Sequence, residues 1–125
     1  MRLRAVNVAL VGFGNVGQAL VRLFLRKEAE LAQRYGVKIT VSGIATGRHG
    51  MAVNPDGLDL QRALQLAAKN QTLDSLSERY CQDVDDFLHF CQAQVLFESI
   101  PVNYQNGQPA LDILRKALSI GMHAI

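Results

Sequence analysis

Six residues near the amino terminus, Gly12-Phe13-Gly14-Asn15-Val16-Gly17, spell G-x-G-x-x-G. Glycine is common and the pattern fixes only three positions, so its meaning depends on its setting. Here it follows a short apolar run, residues 6–11 (VNVALV), and precedes apolar residues at helical spacing. At such a strand-to-helix turn the first glycine permits a tight bend. The second lets a pyrophosphate approach the backbone, and the third lets the helix lie close against the strand. The N–H groups of Asn15, Val16 and Gly17 then face phosphate oxygens, with the helix dipole adding favourable potential. Dinucleotide binding is the expectation; a purely structural turn is the alternative.

The end of the second strand bears on which dinucleotide. An Asp or Glu commonly stands there to accept from the adenosine ribose hydroxyls. This sequence has Ala45-Thr46-Gly47-Arg48 instead, with no carboxylate. An acid would repel a 2′-phosphate, whereas Arg48 can pair with it and Thr46 can donate a hydroxyl. NADP is therefore favoured over NAD; otherwise Arg48 is a solvated loop residue and backbone groups hold the ribose. The missing acid also argues against a methyltransferase. Ser99-Ile100-Pro101 ends the third strand, on the side where ligands collect in open α/β sheets, and is a candidate contact for the nicotinamide half or a plain strand-ending turn. Glu98 is either a crevice acid or a salt-bridge partner, and is not assigned to catalysis. His49, His89 and His123 lie on different elements and read as surface or packing residues. Asp85 and Asp86 read as helix N-terminal charges.

The elements that must carry these residues follow from periodicity. Residues 6–11 read as a strand buried on both faces. Val16, Ala19, Leu20, Leu23, Phe24 and Leu31 then mark the core face of a long helix stopped at Gly36. Residues 38–45 (KITVSGIA) form a second, β-branched strand ending in the TGRHG turn. This order is a βαβ unit, with parallel strands and a right-handed crossover. Residues 51–94 carry helical signals: Asp56-Gly57 opening one helix, Ser75 with Glu78 as a capping box, and Asp83 with Asp86 starting a short helix that ends near Cys91. Residues 95–98 (VLFE) are a third strand. A last helix runs from about Pro109 to Gly121, and residues 122–125 begin another apolar run. The expected fold is α/β: a Rossmann-like doubly wound parallel sheet in three layers, α/β/α.

Composition sets the outer bounds. The chain has 125 residues, 49% hydrophobic and 19% charged, with net charge +2. A single domain of this length buries about two-thirds of its unfolded surface and needs no disulfide or metal to fold. Cys81 and Cys91 match no metal-ligand spacing and read as packing residues in a reducing compartment. The longest apolar run falls far short of the roughly 18 residues of a membrane span. Glycines and Asn15 interrupt the only signal-like stretch, so a cytoplasmic location is expected. A net charge of +2 is too small for a nucleic-acid binder. The charge is unevenly spread: eight basic residues face two acidic ones through residue 50, against five and nine beyond it. A basic first half suits a phosphate-bearing ligand, or is simply a set of solvated helix faces.

Residues 8–20 (VALVGFGNVGQAL), 98–118 (ESIPVNYQNGQPALDILRKAL) and 121–125 (GMHAI) resemble the cofactor domain of homoserine dehydrogenases, over almost the whole chain. The second block is the more specific, joining a strand-end proline, an Asn-Gly turn and a Gly-x-Pro-Ala helix start. The resemblance implies NAD(P)-dependent interconversion of L-homoserine and L-aspartate 4-semialdehyde, on the route to threonine and methionine. It implies that Phe13, Asn15 and Val16 touch the cofactor at the glycine turn, Arg48 its adenosine end, and Ser99 and Ile100 its nicotinamide half. With Gly12, Gly14, Gly17, Thr46 and Pro101 these make up the candidate cofactor site. In that family a Thr-Ala-Asn-Lys segment and a substrate-binding, dimerising domain follow, with the catalytic lysine and carboxylates. None of these lies in the 125 residues, so no catalytic or substrate residue is carried over. The expectation is one cofactor domain, residues 1–125, of a homodimeric enzyme with a small amino-acid substrate. It is truncated at its carboxyl end, of the type without an attached kinase, and able to bind cofactor without turnover. A stand-alone nucleotide-sensing module and a related amino-acid dehydrogenase are the alternatives.

Overall fold

The computed structural model describes residues 2–47, 49–100 and 107–125. Strand β1 (Arg4–Val11) leads through the glycine turn into helix α1 (Asn15–Tyr35), which crosses to β2 (Val37–Ala45). After β3 (Met51–Val53) come α2 (Leu60–Ala68) and α3 (Val84–Phe90), then β4 (Val95–Glu98), α4 (Ala110–Ser119) and β5 (His123–Ala124). The sheet order is β3-β2-β1-β4-β5, with β1, β2, β4 and β5 parallel. The expected doubly wound, Rossmann-like α/β/α sheet is therefore present.

Side-chain alternation in β1 divides the core. Val8 and Leu10 point to one face, where they pack with Val21 of α1 and Ala63 and Leu66 of α2. Ala9 and Val11 point to the other, against Phe87 and Leu88 of α3 and Ile113 and Ala117 of α4. A strand covered on both faces must be apolar throughout, which is why VNVALV lacks strict alternation. Between Val8 and Ala9 the pairing with β2 skips Ser42, a bulge whose side-chain oxygen is buried without a hydrogen-bond partner.

Several local expectations are corrected. Residues 51–53 were expected in a helical stretch, yet β3 pairs antiparallel with β2, Ile44 opposite Ala52. The turn between them closes when the N–H of Thr46 donates to the carbonyl of Gly50 at 2.9 Å. Three residues are too few to show a period of two, so the open edge of β2, not the local pattern, decided their state. The capping box expected at Ser75 and Glu78 starts no α-helix; Asp74–Leu76 form a single 3₁₀ turn. The segment instead protects the outer edge of β3: Ser77 Oγ accepts from the N–H of Val53 at 2.9 Å, and the N–H of Glu78 donates to the carbonyl of Val53 at 2.8 Å. Helix α2 starts three residues later than Asp56-Gly57 suggested, capped by Asp59, whose carboxylate accepts from the N–H of Arg62. Asp56 and Gly57 belong to a preceding turn, both N–H groups donating to Asn54.

The core face of α1 is also rotated from its expected position. Gly17 and Val21 are buried, with Leu20, Phe24 and Leu25 beside them, whereas Ala19 is exposed, Val16 is 68% exposed and Leu23 38%. Contact at Gly17 sets that rotation. A Cβ there would lie 2.6 Å from the carbonyl oxygen of Gly12, so the helix approaches the strand more closely at this point than a side chain allows. The short helix at Asp83 is as expected: Asp83 accepts from the N–H of Asp86, Asp86 accepts from the N–H of Gln82, and the helix ends at Cys91. Both cysteines are buried and free.

Candidate functional site

The carboxyl ends of β1, β2 and β4 meet at one edge of the sheet. Gly12 has φ +106°, a conformation that L side chains rarely adopt, and its N–H donates to the carbonyl of Ala45 at 2.7 Å. A Cβ on Gly12 would lie 2.7 Å from Ser99 Oγ and 3.1 Å from Ile100 Cγ2. Its absence brings the turn after β4 against the glycine turn. Glu98 holds that second turn, its Oε1 accepting from the N–H of Ile100 at 2.7 Å, while the N–H of Ser99 donates to the carbonyl of Val11. Glu98 thus shapes the crevice turn and takes part in no salt bridge among the described residues.

The amino end of α1 is open. Its first in-register bond runs from the N–H of Gln18 to the carbonyl of Gly14, leaving the N–H groups of Asn15, Val16 and Gly17 without helical partners. No side chain caps this end and its first turn carries no acidic residue. At Gly14 φ is −86°, and nothing lies within 4 Å of where a Cβ would stand. The protein's own packing does not require glycine here. An unrequired glycine beside an uncapped helix end suits close approach by an anion.

These residues line a cleft of about 550 Å³ that includes Gly12, Phe13, Gly14, Asn15, Thr46, Ser99 and Ile100. The structure therefore brings seven of the candidate residues together. Val16 lies beside the cleft on the exposed first turn of α1, and Gly17 is the helix-packing glycine beneath it. Phe13 is only 3% exposed; its ring belongs to the core on the α1 side, and its carbonyl accepts from Gln18 Nε2 at 2.9 Å. It faces the cleft mainly through its backbone. Arg48 and Pro101 lie outside the described residues. Five residues of the cleft were not among the candidates: Gln18, Gly47, His49, Ala67 and Asn70. Asn70 follows α2 with φ +56°, and Asn after a helical run is a signal that could have marked it. On the other face of the strand ends lies an apolar cleft of about 570 Å³, between Met51, Val84 and Ile113, which shares Thr46, Gly47 and Ile100 with the first. One trough thus crosses the sheet edge. Among the described residues no cluster of His, Cys, Asp or Glu suits a metal ion, and no helix is long and apolar enough to cross a membrane.

A glycine turn at the carboxyl edge of a doubly wound sheet defines a Rossmann-like α/β domain. Over nearly its whole length the chain is similar in sequence to homoserine dehydrogenases. It is 29% identical to an NAD(+)-dependent homoserine dehydrogenase of Pseudomonas canavaninivorans, across 95% of this chain and 34% of that protein. It is 25% identical to a homoserine dehydrogenase of Methanocaldococcus jannaschii, across 96% of this chain and 35% of that one. The chain therefore spans about a third of the length of the curated relatives it matches. Among solved structures, the homoserine dehydrogenase of Thermoplasma acidophilum superimposes with a TM-score of 0.73 at 23% identity, covering 97% of this chain and 34% of that one. A hyperthermophilic archaeal homoserine dehydrogenase in complex with NADPH gives 0.73 at 22% identity, covering 97% and 35%. No protein-family profile matches the chain. The resemblance read from residues 8–20, 98–118 and 121–125 is borne out by these relatives.

Proposed function

We propose that the chain is the NAD(P)-binding domain of a homoserine dehydrogenase, corresponding to residues 1–125 of a longer enzyme. The observation that carries this reading is the uncapped amino end of α1 beside Gly14, whose missing Cβ no protein atom needs. A pyrophosphate there would accept from the N–H groups of Asn15, Val16 and Gly17, with Gly12 and Gly17 holding the turn and helix in place. Thr46 and Arg48 would meet the adenosine ribose, and Ser99, Ile100 and Pro101 the nicotinamide half; Phe13 would contribute backbone. A bound nicotinamide exchanges hydride with the substrate carbon, while the protein supplies orientation. The names of the relatives support this reading, one being NAD(+)-dependent and one a complex with NADPH.

In this reading the interconversion of homoserine and aspartate 4-semialdehyde, in the cytoplasm, belongs to the whole enzyme, since the chain spans about a third of the relatives' length. We therefore assign the 125 residues cofactor binding without turnover, and place the amino-acid substrate and the dimer with the whole enzyme. Titration of the purified chain with NADPH and NADH is the direct test, and detectable homoserine oxidation by the chain alone would refute the division of labour. The basic residue at the strand end favours NADPH. Arg48→Ala should weaken NADPH binding roughly ten- to a hundredfold and leave NADH nearly unchanged; equal losses would overturn that preference.

A further inference from the structure

The loop between β2 and β3 is built around His49. Its backbone N–H donates to Thr46 Oγ1, its carbonyl accepts from the N–H of Leu73 at 2.7 Å, and its ring Nδ1 lies 3.1 Å from the carbonyl oxygen of Gln71. A carbonyl oxygen can only accept, so Nδ1 carries a hydrogen, and in the neutral ring Nε2 is left with a lone pair. The residue is 8% exposed, and it lines the same cleft as Gly14 and Thr46. Among the described residues Ser42 Oγ is the one side-chain polar atom both buried and unpartnered, so Nε2 is not sealed in the core. Two backbone bonds and one ring bond fix His49 in the loop that follows β2. That is where the adenosine ribose lies when a pyrophosphate sits at the amino end of α1.

The chemistry of the 2′ position then matters. A free 2′-hydroxyl can donate to a neutral Nε2. An ionised 2′-phosphate only accepts; it faces the lone pair unfavourably and pairs with Nε2 once the ring is protonated. We propose that His49 reads the 2′ position of the adenosine ribose through Nε2, favouring the hydroxyl of NAD(H) when neutral and the phosphate of NADP(H) when protonated. This rests on the cofactor reading above and adds a specificity residue to it.

The charged groups around the loop are Asp74, whose carboxylate lies against Gly50; Lys69, at the end of α2; Glu98, bonded to Ile100; and Arg48, the neighbour in the chain. The first turn of α1 contributes no acid. A 2′-phosphate itself changes charge near pH about 6, so only the part of a pH-dependent preference that is lost in a His49 variant is assigned to the imidazole. The other histidines stand away from the cleft, His89 on α3 and His123 on β5.

The test uses the 125-residue chain and the variant His49→Asn, which keeps an amide N–H for the Gln71 carbonyl but lacks Nε2 and never gains charge. Affinities for NADPH and NADH are measured for both at pH about 6 and about 8. In the parent, the preference for NADPH should be roughly tenfold greater at the lower pH. In the variant that change should shrink to the phosphate's own contribution, and NADH should bind more weakly at the higher pH. Binding of both cofactors with the same pH response in parent and variant would overturn the role of His49 alone. Failure of the parent to bind either would overturn the cofactor reading and this inference together. If the variant does not fold, the imidazole nitrogen spectrum of the parent decides. The Nε2 signal of His49 must move when NADH is added at pH about 8, and an unmoved signal overturns the proposal.

Discussion

Gly14 and Gly17 sit three residues apart and should respond to the same substitution in opposite ways. At Gly14 φ is negative and a Cβ meets nothing, while ψ, at −149°, lies just beyond the extended region. Gly14→Ala should therefore change stability by less than about 1 kcal/mol, the narrower unfolded ensemble of alanine offsetting a small backbone cost. Cofactor binding should nevertheless weaken at least about tenfold, since the methyl group stands where the pyrophosphate approaches. At Gly17 the new methyl meets the carbonyl oxygen of Gly12, a backbone atom that cannot swing aside. Gly17→Ala should cost about 1–3 kcal/mol by urea unfolding. A stable Gly14 variant with undiminished binding would remove the main support for the site. The turn at Gly12 and the close packing at Gly17 were legible in the sequence because the motif is local. His49 was not, because its tautomer depends on a carbonyl 22 residues further along.

Among the elements, α3 depends most on one side chain. Asp83 is its cap, accepting from the N–H of Asp86 at 2.9 Å. Asp83→Ala should lower stability by about 1 kcal/mol in a denaturant titration. The ion pair between Lys116 and Asp85 links α4 to α3 at 3.1 Å with both side chains about half exposed. Lys116→Ala should therefore change stability by less than about 1 kcal/mol, and a larger loss would show the pair to be better shielded than its exposure indicates. Caps at Asp83 and the stop at Gly36 could be read directly, since each acts within one turn of chain. The start of α2 was misplaced because the Asn54–Gly57 turn uses the same residue types as a helix cap. Strand β3 was unreadable for a different reason: its partners are β2 on one side and residues 77–78 on the other, and nothing within Met-Ala-Val records either.

At the scale of the whole molecule, the two cores lock the sheet between its helix pairs. Phe87 is fully buried in the core on the α4 side, and Phe87→Ala should cost about 3–5 kcal/mol, enough to unfold a marginal domain. Burial on the same side pushes the Cys91 thiol up to about 11 from an ordinary 9.0. Above the ordinary value the unfolded chain gives up this proton while the folded chain retains it. The contribution of Cys91 to stability should thus be complete below pH 9 and decline as the pH rises from about 9 to about 11. Unfolding midpoints across that range should show an alkaline decline that is smaller in Cys91→Ala, compared at each variant's own neutral value. The sequence alone determined the βαβ unit, the glycine turn and the resemblance to homoserine dehydrogenases, because apolar period and turn chemistry are properties of neighbouring residues. Tertiary structure alone decided the direction of β3, the rotation of α1 about Gly17, the meeting of Ser99 and Ile100 with Gly12, and the fixing of His49 beside the cleft. Each of these rests on a contact between residues far apart in the chain, where only packing and unsatisfied backbone groups choose the partner.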